Sequence, residues 1–254
     1  MPTPSPAHDD ASAPERRPHA ALDRETRVRK ARKIAAIVGN ERFRTARAIL
    51  EVGCGSGVIA SVLAHVAGGC ANVHAVDVVD NRVVSEGYTF QVVAGTTLPY
   101  SNGTFDIVVS NHVIEHVGDA DAQRHHLEEI RRVLAPDGVV YFAAPNRWRL
   151  IEPHFHLPFL SWLPHPASDR YVRAMGRGSH YDCDPPSYAR AVSLCQSAGF
   201  ELRNRTVDVL RETLEVELNG PLPRVVSWLL PDLVAHALMP IMPTYVFTLE
   251  RGRT

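Results

Sequence analysis

Apolar positions along this chain fall into short continuous runs that alternate with stretches of helical spacing. The first helical stretch is basic, Arg24 to Lys33, and leads into Ile34, Ile37 and Val38 before Gly39 stops it. Ala46–Val52 is then a compact apolar run, followed by a glycine cluster and by Val58–Val66, whose apolar residues repeat at helical spacing. Further short runs occupy Asn72–Val79, Thr89–Ala94, Phe105–Ser110 and Val139–Ala144. Between the last two, Leu127, Ile130, Val133 and Leu134 mark a helix over 120–134, and Pro136-Asp137-Gly138 marks a turn. Apolar strands alternating with helices predict an α/β fold, doubly wound about a mostly parallel sheet buried on both faces.

The rhythm breaks after residue 145. Residues 146–187 are rich in Pro, His and aromatics and show little periodicity, which predicts a cap inserted after the fifth strand. A helix over 186–198 closed by Gly199, a strand-like stretch over 200–210 and a last strand over 244–250 complete a seven-stranded sheet, so 188–254 returns to the core. The five prolines within residues 1–20 predict a disordered tail over 1–23, because that stretch has little apolar surface to offset its ordering entropy. Residues 24–145 then form the core. From Val225 to Phe247 the one formally charged residue is Asp232, yet Pro231, Pro240 and Pro243 interrupt the run and argue against a spanning helix. Core or cap packing, a dimer contact and a lipid surface all remain open for this apolar segment.

Composition adds limits rather than an identity. The chain has 254 residues, 45% apolar and 22% charged, with a net charge of −1. That balance supplies no global field for nucleic acid. The basic run Arg27–Lys33 lacks interleaved aromatics, so a solvated helix face is the expected reading. Cysteines at 54, 70, 183 and 195 form no Cys-x-x-Cys pair and no disulfide framework, which points to a reduced, cytoplasmic protein. No secretory signal stands at the start.

Chemistry concentrates where the first apolar run meets the glycines. Ile49-Leu50-Glu51-Val52-Gly53-Cys54-Gly55-Ser56-Gly57 is a strand entering a loop with glycine at every second position, then a helix. Such glycines permit positive φ and let backbone approach a ligand closely. Asp77 ends the second strand, where a carboxylate can accept from both hydroxyls of a ribose. The dinucleotide pattern Gly-x-Gly-x-x-Gly is not met, because Val58 stands where the third glycine belongs. A nicotinamide-dependent oxidoreductase is therefore disfavoured.

These segments resemble those of the class I S-adenosylmethionine-dependent methyltransferases. Glu51–Gly57 looks like that family's first motif and Ala75-Val76-Asp77 like its second. Leu98-Pro99-Tyr100-Ser101-Asn102-Gly103-Thr104-Phe105-Asp106 is similar to its approach to the fourth strand. Asn111-His112-Val113-Ile114-Glu115-His116-Val117 resembles the segment after it, and Leu134–Val139 the entry to strand five. The likeness covers roughly residues 48–145. It implies S-adenosyl-L-methionine as cofactor, with Glu51, Cys54 and the backbones of Gly53 and Gly55 near its amino-acid part. It further implies Asp77 on the ribose, Val78 beside the adenine, and the Asn111 carbonyl facing the ammonium group. One position departs: Ala94 stands where many members place an adenine-binding aspartate, which shifts that task to backbone groups or to Thr96.

The resemblance implies transfer of a methyl group to oxygen or nitrogen, less readily carbon, of a small-molecule acceptor. A natural-product, quinone-like, lipid or sugar intermediate would suit a cap built of aromatics, His and Pro. A cofactor-binding partner subunit without methyl transfer is the alternative that Ala94 keeps open. His112 and His116, four apart after the fourth strand, are candidate general bases, sharing a face if that segment is helical. Packing and capping is the competing role. In the cap, His154, His156 and Tyr181 are candidates to touch the acceptor. Glu152-Pro153-His154-Phe155-His156-Leu157-Pro158-Phe159 is similar to a stretch found in some bacterial members. His154-x-His156 suggests a metal pair, yet no third ligand can be assigned, so no metal is expected. The partners expected are a small molecule and, at most, a second copy of the chain; nucleic acid is not expected and peripheral membrane contact is a lesser expectation.

Overall fold

In this computed structural model the described residues are 24–69, 71–217, 239 and 242–252. The expected tail over 1–23 lies outside them, as does the apolar segment over 222–242 apart from Met239 and Met242. Helices α1 (Arg24–Val38) and α2 (Asn40–Thr45) precede strand β1 (Ala48–Val52). Helix α3 (Val58–Val66), β2 (Asn72–Asp77), β3 (Thr89–Val92) and β4 (Phe105–Asn111) follow, then α4 (Ala120–Val133) and β5 (Leu134–Pro145). The cap holds a small hairpin, β6 (Ile151–Glu152) and β7 (Leu157–Pro158), and helix α5 (His165–Ala174). Helix α6 (Tyr188–Ser197), β8 (Phe200–Asn204), α7 (Thr206–Glu217) and β9 (Thr244–Arg251) return to the core.

Seven strands form one sheet in the order β3-β2-β1-β4-β5-β9-β8. The pairs from β3 through β5 are parallel, and β9 runs antiparallel to both β5 and β8. Successive strand residues point to opposite faces and helices cover both, so nearly every position of the central strands is apolar. Leu50, Val108, Val140 and Phe142 face one side, packed with Leu127, Ile130 and Cys195 of α4 and α6. Ile49, Ile107, Val109 and Tyr141 face the other, packed with Ile34, Ile59 and Leu63 of α1 and α3. The doubly wound α/β architecture with a cap after the fifth strand is thus observed.

Three local expectations are corrected. The stretch over 200–210 is not one strand: β8 ends at Asn204, whose side-chain carbonyl accepts from the Thr206 amide, and α7 begins there. Pro136-Asp137-Gly138 lies within β5 as an irregularity, since Phe105 pairs with Leu134 while Ile107 pairs with Val139. His112 and His116 do not share a helix face. His112 has φ 57, and only Ile114–His116 forms a single 3₁₀ turn.

Helix starts follow side-chain chemistry. Asp119 caps α4 by accepting from the amides of Asp121 and Ala122, and Ser187 caps α6 by accepting from Arg190. Arg132, near the end of α4, pairs with Glu129 at 2.7 Å and donates to the carbonyls of Leu98 and Tyr100. This clamp fixes the loop that brings residues 96–98 to the carboxyl edge of the sheet.

Candidate active site

A cavity of about 820 Å³ opens at the carboxyl ends of β1, β2 and β4, the edge where ligands of open α/β sheets bind. Its floor is built by the glycine loop. Gly53, Gly55 and Gly57 have φ of 73, 50 and 77, a region that side-chain-bearing residues rarely enter. The Gly53 amide donates to the Val76 carbonyl at 2.8 Å and the Gly55 amide to Asp77 Oδ2 at 2.8 Å. These bonds lock the loop against the end of β2. Gly57 has a packing role, because a Cβ there would meet the Val84 carbonyl at 2.2 Å.

Asp77 turns both carboxylate oxygens toward backbone amides, Oδ2 to Gly55 and Oδ1 to Val78 at 2.7 Å. Each oxygen retains acceptor capacity for a hydroxyl, and the side chain lines the cavity. Val78 and Val79 are exposed beside it, and Gly95, Thr96 and Leu98 form the facing wall. Thr96 Oγ1 lies 2.6 Å from His125 Nδ1, so the hydroxyl is oriented, while Ala94 is exposed. Asn111 ends β4 on the same wall, and its Oδ1 is buried without a hydrogen-bond partner. An acceptor without a partner on a residue bordering the cavity fits a cationic ammonium group.

Two residues of the expected cofactor set stand behind the wall. Glu51 is 2% exposed and Cys54 is 1% exposed, and neither borders the cavity. Burial pushes the Glu51 carboxyl up to about 8 and raises the Cys54 thiol. The Ala60 amide of α3 donates to the Glu51 carboxylate. Conversely, α1 is not merely a solvated face. Thr26, Arg27 and Lys30 border the cavity, and burial, with Arg27 nearby, lowers the Lys30 ammonium from its ordinary range. With Arg149 they make the opening cationic.

The histidines part ways. His112, His116 and His154 line the cavity. Glu115, 1% exposed, sits between the first two: its Oε1 is 3.5 Å from His112 Nδ1 and 3.9 Å from His116 Nε2. Burial lowers the His112 imidazole, with Glu115 opposing the shift. His154 comes from the cap hairpin and meets His116 edge to face at 5.0 Å. Glu152 fixes that turn by accepting from the amides of His154 and Phe155 at 2.8 and 2.7 Å. His156 is exposed, so His154-x-His156 does not converge on one site. Tyr181 is 6% exposed and packs with Leu157, Leu160 and Val172 in the cap's own core, not on the cavity wall. Its hydroxyl is buried without a hydrogen-bond partner, and burial raises it far above the usual phenol range.

Sequence reasoning missed His126. This residue of α4 lines the cavity from below, its Nε2 3.1 Å from Ser110 Oγ, and burial lowers it to about 4. Its place in the helical pattern of α4 gave no signal, because a polar residue there reads as surface.

Residues 50–142 match the family model described as a methyltransferase domain. Over those residues the chain is similar to methyltransferase domains. The matched stretch includes the glycine loop, Asp77 and Asn111 described above. A probable S-adenosylmethionine-dependent methyltransferase of Mycobacterium tuberculosis is 37% identical over 108 residues, covering 41% of this chain and 37% of that protein. A ubiquinone biosynthesis O-methyltransferase of Chelativorans sp. is 30% identical over 105 residues, 39% of this chain and 40% of its own length. The chain thus matches less than half the length of these curated relatives. Over nearly its whole length it shares a fold with solved structures. A putative sarcosine dimethylglycine methyltransferase from Galdieria sulphuraria superposes with a TM-score of 0.54 at 13% identity, covering 90% of this chain and 88% of that one. The [4+2]-cyclase SpnF does so at 0.53 and 16% identity, covering 94% and 86%. At these identities the likeness shows the fold alone. Among the described residues no helix is long and apolar enough to cross a membrane.

Proposed function

We propose that this protein transfers the methyl group of S-adenosyl-L-methionine to an oxygen or nitrogen of a small-molecule acceptor enclosed by the cap. The observation that carries this reading is one continuous cavity, bordered on one side by Gly53, Gly55, Asp77 and Asn111 and on the other by His112, His116, Arg149 and His154. The sulfonium supplies an activated methyl carbon when the cofactor is bound. The chain's own work is then alignment and water exclusion. Orienting two reactants can contribute on the order of 7–11 kcal/mol.

Asp77 holds the ribose, Thr96 and the backbone of Gly95 face the adenine, and Asn111 receives the ammonium group. Arg27 and Lys30 receive a carboxylate, either the cofactor's or one on the acceptor. His112, with an imidazole kept neutral by burial and a carboxylate behind it, has the form of a general base for a hydroxyl acceptor. His116 and His154 lie on the acceptor side. A quinol-like or phenolic ring suits the reading, as one relative named for ubiquinone O-methylation suggests.

Calorimetric titration of the full chain with S-adenosylmethionine, S-adenosylhomocysteine and NAD tests it. Micromolar binding of the first two and none of the third is expected. Asp77→Ala should weaken both adenosyl ligands by about 10- to 100-fold, the loss of charge-assisted bonds to two hydroxyls. Unchanged affinity in that variant would defeat the site assignment. Binding without release of S-adenosylhomocysteine across a panel of phenols, quinols and amines would favour the cofactor-binding partner instead.

A further inference from the structure

Behind the acceptor side of the cavity, three side chains from separate parts of the fold converge. His116 ends the 3₁₀ turn after β4, His154 sits in the cap hairpin, and Cys183 lies on the strand of chain returning from the cap to α6. One potential ligand atom from each falls within 4.8 Å of the other two. Cys183 Sγ is 3.6 Å from His116 Nδ1 and 3.7 Å from Asp182 Oδ1. We propose that His116, His154 and Cys183 bind a divalent zinc-class cation whose fourth position opens into the cavity.

Four observations support this. The donor set, two imidazoles and one thiol, is that of zinc sites with three protein ligands and an open position. Both histidines have the outer-shell carboxylates such ligands use: Glu115 Oε1 is 3.9 Å from His116 Nε2 and Glu152 Oε1 is 4.0 Å from His154 Nε2. In His116 the opposite nitrogen, Nδ1, faces Cys183 Sγ at 3.6 Å. Third, Glu115 is buried between the two histidines, its Oε1 3.5 Å from His112 Nδ1 and 3.9 Å from His116 Nε2, so its carboxylate is placed to take a stronger donor on the His116 side. A fixed cation bound through His116 would make that imidazole a stronger donor toward Glu115. Fourth, the positions are held by backbone. The Asp184 amide donates to the Glu115 carbonyl at 2.8 Å, tying the Cys183 segment to the 3₁₀ turn, and Glu152 fixes the His154 turn.

His116 and His154 border the large cavity whereas Cys183 borders a small void beneath it, so the open position faces the acceptor. The ligand that fits there is a hydroxyl or thiol. Its use in catalysis rests on the methyl-transfer reading above. The acceptor's proton, its pKa lowered by the cation, would leave to His112, the base named above. The new bond to carbon then forms as the carbon–sulfur bond of the sulfonium breaks, with that electron pair staying on sulfur.

The test uses the purified full-length chain stripped with a chelator. Titration with Co(II) should give one equivalent bound and a thiolate-to-cobalt charge-transfer band. X-ray absorption on the zinc-loaded chain should find one sulfur at about 2.3 Å and nitrogens at about 2.0–2.1 Å. Cys183→Ser should abolish the charge-transfer band, and Glu152→Gln should weaken zinc about 10- to 100-fold. A shell of nitrogen and oxygen alone overturns the site, and so does a band that survives Cys183→Ser. If that variant does not fold, the absorption spectrum of the unaltered chain still decides. Cofactor titration of the same sample separates the two readings: zinc bound without S-adenosylmethionine defeats methyl transfer but not the cation site, and the converse holds.

Discussion

The carboxyl edge of the sheet and the cap bound the same cavity, yet they are built by different means. On the sheet side, ligand positions come from backbone geometry over a few consecutive residues. Gly53, Gly55 and Gly57 adopt positive φ, and Asp77 is tied to them through one amide. On the cap side, the polar groups are side chains brought together across the fold: His116 from the 3₁₀ turn, His154 from the hairpin, Cys183 from the irregular segment leading to α6 and Glu115 buried beside His116. A site made of backbone can be written into a short motif. A site made of converging side chains is fixed only when the whole chain has folded.

Substitutions can sharpen this contrast. The largest effect is expected at Gly57→Ala, where the added carbon meets the Val84 carbonyl at 2.2 Å in a left-handed conformation. A loss of about 2–4 kcal/mol in denaturant unfolding follows from overpacking plus backbone strain. Gly176→Ala, at a cap glycine with φ +63 and open space around it, should cost only about 1 kcal/mol. Equal losses would mean that the glycine loop is no more constrained than the cap.

Next in size is Glu152→Ala. It strips the acceptor from two amides in the hairpin turn, which should cost about 1–3 kcal/mol in thermal unfolding. Cofactor affinity by calorimetry should stay within about twofold while turnover falls. A parallel loss of cofactor binding would show that sheet and cap sides are not separable.

The smallest effect is a pH slope. His126 is neutral in the fold because burial lowers it to about 4, against about 6.5 when unfolded. A base with a lowered folded pKa contributes fully above 6.5 and loses that contribution as pH falls toward 4. Stability should then decline by up to about 1.4 kcal/mol per pH unit across that window. His126→Gln should flatten the slope in urea unfolding at pH 7 and pH 5. An unchanged slope would place the titration in other groups.

The glycine loop and Asp77 were legible because each task belongs to one residue type at one place in a strand–loop–helix unit. Asn111 was expected to offer its backbone carbonyl, and the residue borders the cavity; its buried side-chain oxygen carried no signal in the sequence. Arg27 and Lys30 read as a solvated face because helical periodicity reports which side packs, not what lies above the other side. Glu51 read as lying near the cofactor's amino-acid part, and it is buried without bordering the cavity. Tyr181 read as a cap residue near the acceptor, but its ring completes a core with Leu157 and Leu160. In an irregular segment no period separates inward from outward positions. The strand-like stretch after Phe200 failed for a related reason: apolar alternation continued past Asn204, while the Asn204 side chain began a helix.

The amino-acid sequence by itself determined the parallel sheet, the helices on both faces, the placement of a cap and the glycine loop at the sheet's carboxyl edge. Those properties follow from periodicity, glycine conformation and local hydrogen bonding, which act over a handful of neighbours. Tertiary structure alone decided that α1 borders the cavity with Arg27 and Lys30, that Glu115 is buried between two histidines, and that Cys183 lies 3.6 Å from His116. Contacts between residues far apart in the chain depend on how elements pack, and no local pattern encodes that distance.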